Sequence, residues 1–193
     1  MMETDYWLAP LHFIVHALAT LATGAVMLRL ILQLVRADYY NPICQFLVKT
    51  TQPVLRPMRR MIPSVGRFDT ASLVLMLLLQ IAAVAVLLSL QGMSLPSPAA
   101  IGVLAVMRSL ELAIDLYVGV IIGSAVISWV APHSHSPLAS LLYSLSEPLL
   151  QPARRLLPAI GGLDLSPIAV LMALELARML LLPPLQQLFR LVG

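Results

Sequence analysis

Charge is what this sequence has least of: Asp, Glu, Lys and Arg make up 11% of its 193 residues, against about 25% in an average soluble domain. A water-exposed globule of this composition could not clothe its surface, so a soluble fold is excluded. Cysteine occurs once, at Cys44, which excludes a disulfide scaffold. There is no zinc-site spacing, Walker-type phosphate loop, nucleophile elbow or dinucleotide fingerprint. No catalytic residue, metal or other cofactor is expected, and the chain reads as non-enzymatic. Nucleic-acid binding is not expected either, because the net charge is only +3 and most of the chain is compatible with lipid. What the sequence has in abundance is apolar surface: 60% of residues are hydrophobic and the mean hydropathy is +0.92. These residues fall in blocks of about 20, the length a helix needs to cross a bilayer.

The expected fold is an all-α membrane protein with four transmembrane helices, at 11–35, 71–90, 110–131 and 166–182. The apolar run 99–131 is too long for a simple span, so its first part, through Arg108, is expected to be interfacial or strongly tilted. The Pro183-Pro184 pair, lacking backbone donors, is expected to stop the last span. The residues ahead of the first span carry Glu3 and Asp5 and no Lys or Arg. A retained helix is therefore expected rather than a cleaved signal peptide. Arg36, Lys49, Arg56, Arg59, Arg60 and Arg67 lie between the first two spans, and Arg154 and Arg155 between the last two. The connection 91–98 has no basic residue. The positive-inside rule then places both long loops in the cytoplasm and both termini on the periplasmic side.

Pro53, Pro57, Arg59, Arg60, Pro63, Gly66 and Asp69 recur as Pro148, Pro152, Arg154, Arg155, Pro158, Gly161 and Asp164, each pair 95 residues apart. Over 42–69 and 137–164, 10 of 28 positions are identical. The chain is read as two parallel helix–loop–helix repeats, 1–98 and 99–193. The duplicated loop, DYYNPICQFLVKTTQPVLRPMRRMIPSVGRFDTASL and SPLASLLYSLSEPLLQPARRLLPAIGGLDLSPI, resembles the signature of the YggT (YlmG) family of bacterial and plastid membrane proteins. That resemblance implies an integral protein of the bacterial cytoplasmic (inner) membrane. It also implies a scaffold or accessory role in envelope integrity, osmotic-stress tolerance or cell division, with cell-division or envelope proteins as partners. It carries over no catalytic residue.

Asn41-Pro42 and Ser136-Pro137 have the form of an N-cap followed by proline, each opening a loop helix. Pro53 and Pro57 are expected to break the first of these, leaving short interfacial helices. Arg59, Arg60, Arg154 and Arg155 are the candidate contacts to anionic headgroups or a partner. Asp69 and Asp164 each precede an apolar span and are read as helix caps or arginine partners. Within the spans, the offset of 95 pairs His16 with Glu111, Thr20 with Asp115 and Gln80 with Glu175. With Arg29, Arg108 and Arg178 these form a set of intramembrane polar groups. They are read as ion pairs between spans, or alternatively as a path for a proton or cation through a small oligomeric channel. His12 and His16, four apart, and His133 and His135 are too sparse to define a metal site. Gly119-x-x-x-Gly123 offers a close helix-packing face, within the monomer or in a homo-oligomer.

The charge count makes a direct prediction. A cysteine at Ser64 or Ala159 should be labelled only in permeabilised cells, and one at Thr4 in intact cells. Opposite accessibility of the two loops would overturn the parallel arrangement.

Overall fold

In the computed structural model residues 2–66, 68–131, 136–156 and 164–193 are described, residues 2–7 by their backbone alone. The basic residue Arg67, the loop histidines His133 and His135, and Leu157, Pro158, Ala159 and Gly161 lie outside them. The described residues form six helices: α1 Met2–Leu34, α2 Pro42–Met61, α3 Thr70–Leu90, α4 Pro98–Val130, α5 Pro137–Leu156 and α6 Ser166–Val192. Four of them, α1 from Leu8 onward, α3, α4 and α6, are long and apolar enough to cross a membrane. A loop helix flanked by two apolar helices thus occurs twice along the chain.

Local chemistry accounts for most helix ends. The Asn41 side chain accepts from the Ile43 amide at 2.9 Å ahead of Pro42, and the Ser97 hydroxyl from the Ala100 amide at 3.1 Å ahead of Pro98. The end of α3 is a Schellman turn: the Met93 amide reaches the Leu88 carbonyl and the Gly92 amide that of Ser89, both at 3.1 Å. This turn requires positive φ at Gly92, where it is 67°. The end of α1 closes in the same way, with Arg36 at φ 56° in the strained position.

Two expectations about prolines as helix breaks need correction. Pro53 and Pro57 do not divide the first loop helix, which is a single 20-residue element. Pro148 and Pro152 likewise lie inside α5. Pro183-Pro184 does not stop α6, which continues to Val192. All six prolines are exposed, so the carbonyls they leave without amide donors lie on outward surfaces. Meanwhile the buried face of α2, Cys44, Leu47, Thr51 and Leu55, continues unbroken past Pro53. Of the two readings of 99–108, a separate interfacial piece or part of one long helix, the second fits: α4 is one helix of 33 residues, about 50 Å long.

Helix α1 packs along α3, α4 along α6, and α3 against α4. Helices α2 and α5 touch, and the Asn41 amide group donates to the Pro137 carbonyl at 2.6 Å. Both long loops therefore lie at one end of the bundle. The main core is at that end, where Val26, Met27 and Ile31 meet Leu47, Leu55, Leu75, Met76, Val120, Leu141 and Leu145. A smaller cluster of Ile121, Leu150 and Val170 joins α4, α5 and α6. At the opposite end α3, α4 and α6 bury Val84, Leu87, Ala100, Ala105 and Leu182, while Phe13, Ile14, Leu18 and Leu21 of α1 are exposed.

Leu55 is fully buried while Met61, on the same helix, is 86% exposed. Leu55→Ala should therefore cost about 2–4 kcal/mol of stability and Met61→Ala almost none, as measured by thermal unfolding in detergent micelles.

Candidate functional site

The duplicated loop motif builds a clamp at the loop end of the bundle. In the first repeat, Arg59 in the last turn of α2 pairs through Nη2 with Asp69 Oδ2, and its Nε lies 3.4 Å from Oδ1. Ser72 donates its hydroxyl to the same carboxylate at 2.6 Å, and the Asp69 side chain is 2% exposed. Burial opposes its charge. The Arg59 and Ser72 hydrogen bonds and the Arg59 charge outweigh that and hold the carboxyl below its usual 3.8. The intervening turn is drawn in by Gly66 at φ 60° and by the Thr70 hydroxyl, which donates to the Pro63 carbonyl at 2.6 Å.

In the second repeat Arg154 Nε donates to Asp164 Oδ2 at 2.9 Å, and Nη1 donates to Glu147 Oε2, also at 2.9 Å. Here both Arg154 and Asp164 are about two-fifths exposed. Burial opposes the Asp164 charge as well, but the Ser166 and Arg154 hydrogen bonds lower its pKa. At Asp69, which sits at the N-cap of α3, the arginine-partner reading is the one the geometry shows, with Arg59 and Ser72 engaging the carboxylate. Asp164 does accept the Ser166 amide, at 2.9 Å, from one residue ahead of the N-cap.

Each arginine pair is thus split. Arg59 and Arg154 are turned inward to a carboxylate ten residues on, whereas Arg60 and Arg155 are exposed and make no hydrogen bond or ion pair among the described residues. Beside them Met61 and Leu156 are exposed as well. Tyr39, Tyr40, Phe46 and Trp129 project at the same end, where an aromatic belt meets a bilayer surface.

Arg29, expected as a polar group inside the first span, is answered from α2. It donates to the Val48 carbonyl at 3.3 Å, Thr51 Oγ1 at 2.5 Å and Gln52 Oε1 at 2.8 Å. No sequence spacing linked it to Thr51 and Gln52. A cavity of about 500 Å³ lies beside it, lined in part by Arg29, Tyr39, Cys44, Gln52, Arg59 and Asp69.

Deeper among the long helices, His16, Thr20, Gln80, Arg108, Glu111 and Asp115 line a second cavity of about 480 Å³. It is an open cleft over α4. Arg178 of α6 pairs with Asp115, and its Nε lies 3.6 Å from Glu175 Oε2. Thus two of the repeat-related polar pairs, His16 with Glu111 and Thr20 with Asp115, line one space. His12 Nε2 is instead 3.0 Å from Gln91 Nε2. Among the described residues no three His, Cys, Asp or Glu converge to hold a metal ion. Gly123 does not form a free docking face: a β-carbon there would meet Leu142 of α5 at 3.2 Å. Gly119 opens on empty space.

The family model for CCB3/YggT matches residues 8–90 and again 103–185. Among curated relatives, an uncharacterized protein of Pseudomonas aeruginosa is 43% identical over 171 residues, covering 88% of this chain and 87% of its own. The uncharacterized protein YggT of Escherichia coli K12 is 37% identical over 169 residues, with 88% and 87% covered. An uncharacterized protein of Vibrio alginolyticus is 38% identical over 173 residues, with 88% and 91% covered. No solved structure matches.

The two clamps should differ in strength. Arg59→Ala strands a buried carboxylate and should cost about 1–3 kcal/mol, whereas Arg154→Ala acts on an exposed pair worth about 0–1 kcal/mol. Thermal unfolding in micelles reads both. The pH dependence follows from the lowered Asp69 pKa. Its stabilisation is complete above the unfolded value of 3.8 and is lost as pH falls through the lower folded value. Asp69→Asn should flatten that acid-side loss, and an unchanged acid profile would remove the clamp from the stability of the fold.

Proposed function

This chain belongs to the CCB3/YggT family, and from that premise we propose that it is a non-enzymatic scaffold or accessory factor of the bacterial cytoplasmic membrane. In this reading its two parallel repeats put both clamps on the cytoplasmic surface, and the termini face the periplasm. Arg59 and Arg154 hold each loop in shape. Arg60 and Arg155, with exposed Met61 and Leu156 beside them, present one cation and one apolar group per repeat to anionic headgroups and to a docked envelope or division protein. The observation that carries this reading is the split of both arginine pairs into one engaged and one free member. Basic side chains on the loop side, exposed aromatics at the same level, and α2 and α5 lying across one end of the bundle support it. The part in envelope integrity, osmotic tolerance or division follows the family resemblance.

A second reading, an oligomeric conduit for an ion or solute, is favoured by the cleft lined with His16, Gln80, Glu111 and Asp115. Ion flux in proteoliposomes tests it, with Asp115→Asn as the variant that should abolish conduction.

An arginine near an anionic leaflet gains about 1 kcal/mol, which Lys reproduces. Two parallel hydrogen bonds to a partner's carboxylate need the planar guanidinium. The double variant Arg60→Lys, Arg155→Lys should therefore insert normally yet recruit less partner on crosslinking and co-purification from native membranes. It should also complement a deletion strain poorly. Full complementation with an unchanged set of crosslinked partners would reduce both arginines to membrane anchors.

A further inference from the structure

The two halves of the chain are related in sequence, but they are not packed as equals. Helix α3 of the first half lies against α4 of the second, whereas their counterparts, α6 and α1, do not touch among the described residues. A contact that joins one face of a unit to a different face of the next is head-to-tail, and it leaves an uncovered copy of each face at the two ends of the row. Comparing positions 95 apart locates those faces. Val84 of α3 is 1% exposed and its counterpart Met179 of α6 is 66% exposed; Ser109 of α4 is 5% exposed and its counterpart Ile14 of α1 is 52% exposed. Other positions fare alike in both halves: Leu75 and Val170 are both buried, as are Ile121 and Val26. At Val84/Met179 and Ser109/Ile14 the difference falls on surfaces that the missing contact would cover; nearer the loop end Met27 and Ile31 are buried where their counterparts Ile122 and Val126 are each 48% exposed.

The uncovered face of α6 also carries charge. The Glu175 side chain is 48% exposed and that of Asp115 on α4 is 60% exposed; Arg178 is set against both, one cation for two carboxylates, within segments that can span a membrane, where exposed charge is costly. We propose that a second copy of this chain covers this face, its α1 packing against α6 as α4 packs against α3.

The chemistry is complementary. Inside one chain, Gln80 of α3 and Glu111 of α4 line the same cavity. At the joint between copies, their counterparts are Glu175 and His16. A carboxylate on α6 is therefore placed opposite an imidazole on the partner's α1. This surface is distinct from the Gly119–Gly123 face, whose Gly123 is already covered by Leu142.

The proposal rests on the two-repeat reading but is independent of what the loop arginines recruit, because its readout is contact between copies. In full-length chains carrying Cys44→Ser, Ile14→Cys and Met179→Cys are placed on separately tagged copies, co-expressed and oxidised in native membranes. The expected result is a disulfide between the two different tags, with little bonding of either variant to itself. A second measurement uses uncrosslinked protein in micelles. His16→Glu sets two acids against each other across the joint and should weaken association about tenfold or more, and Glu175→Gln in the same chain should restore it. Absence of the mixed disulfide in chains that retain helical content, or self-crosslinking of Met179→Cys in preference to it, would overturn the proposal. So would an association indifferent to His16→Glu.

Discussion

A charge placed among apolar helices must find a polar partner, because lipid cannot supply the hydrogen bonds that water would. Most of this structure can be followed from how each charge is answered. Arg29, deep in α1, reaches across to Thr51 and Gln52, and in doing so sets α2 against the first long helix. Arg59 reaches to Asp69, which sets the start of α3 beneath the end of α2. Arg178 reaches to Asp115 and fastens α6 to α4. With few charges in the chain, each such pair ties two helices together rather than decorating a surface.

The same constraint explains why a duplicated motif serves two purposes. Two adjacent arginines on a helix point about 100° apart, so they cannot both face one carboxylate. One turns inward and closes the loop; the other faces outward beside an apolar neighbour. The second repeat keeps that division with a weaker clamp, because Asp164 stays partly exposed and Arg154 is shared with Glu147. The repeats are thus alike in design and unequal in how deeply their ion pairs are buried.

Inequality extends to the long helices. At two paired positions the halves differ in charge but not in polarity: His16 and Glu111, Gln80 and Glu175. A single chain brings only one of the two possible lateral contacts together. Acid on α6 and imidazole on α1 are what a continuation of the row would need, whereas inside the chain Gln80 faces a space already holding two acids.

The composition, the length of the apolar blocks and the offset of 95 residues were enough to identify an all-helical chain with four segments able to cross a membrane, and to mark Arg59 with Asp69 and Arg154 with Asp164 as related sites. Those features depend on neighbours in the chain, where helical periodicity and hydropathy act. The prolines misled because proline breaks a helix only where its lost hydrogen bond and its bulk cannot be accommodated, and at Pro53, Pro57 and Pro183 the exposed side of a packed helix accommodates both. Which arginine of each pair is engaged, and that Arg29 is answered from α2, were decided by tertiary structure alone. So was the lateral contact of α3 with α4. These depend on residues from ten to more than twenty positions apart meeting across a turn or a helix interface, where no local pattern states which face turns toward which.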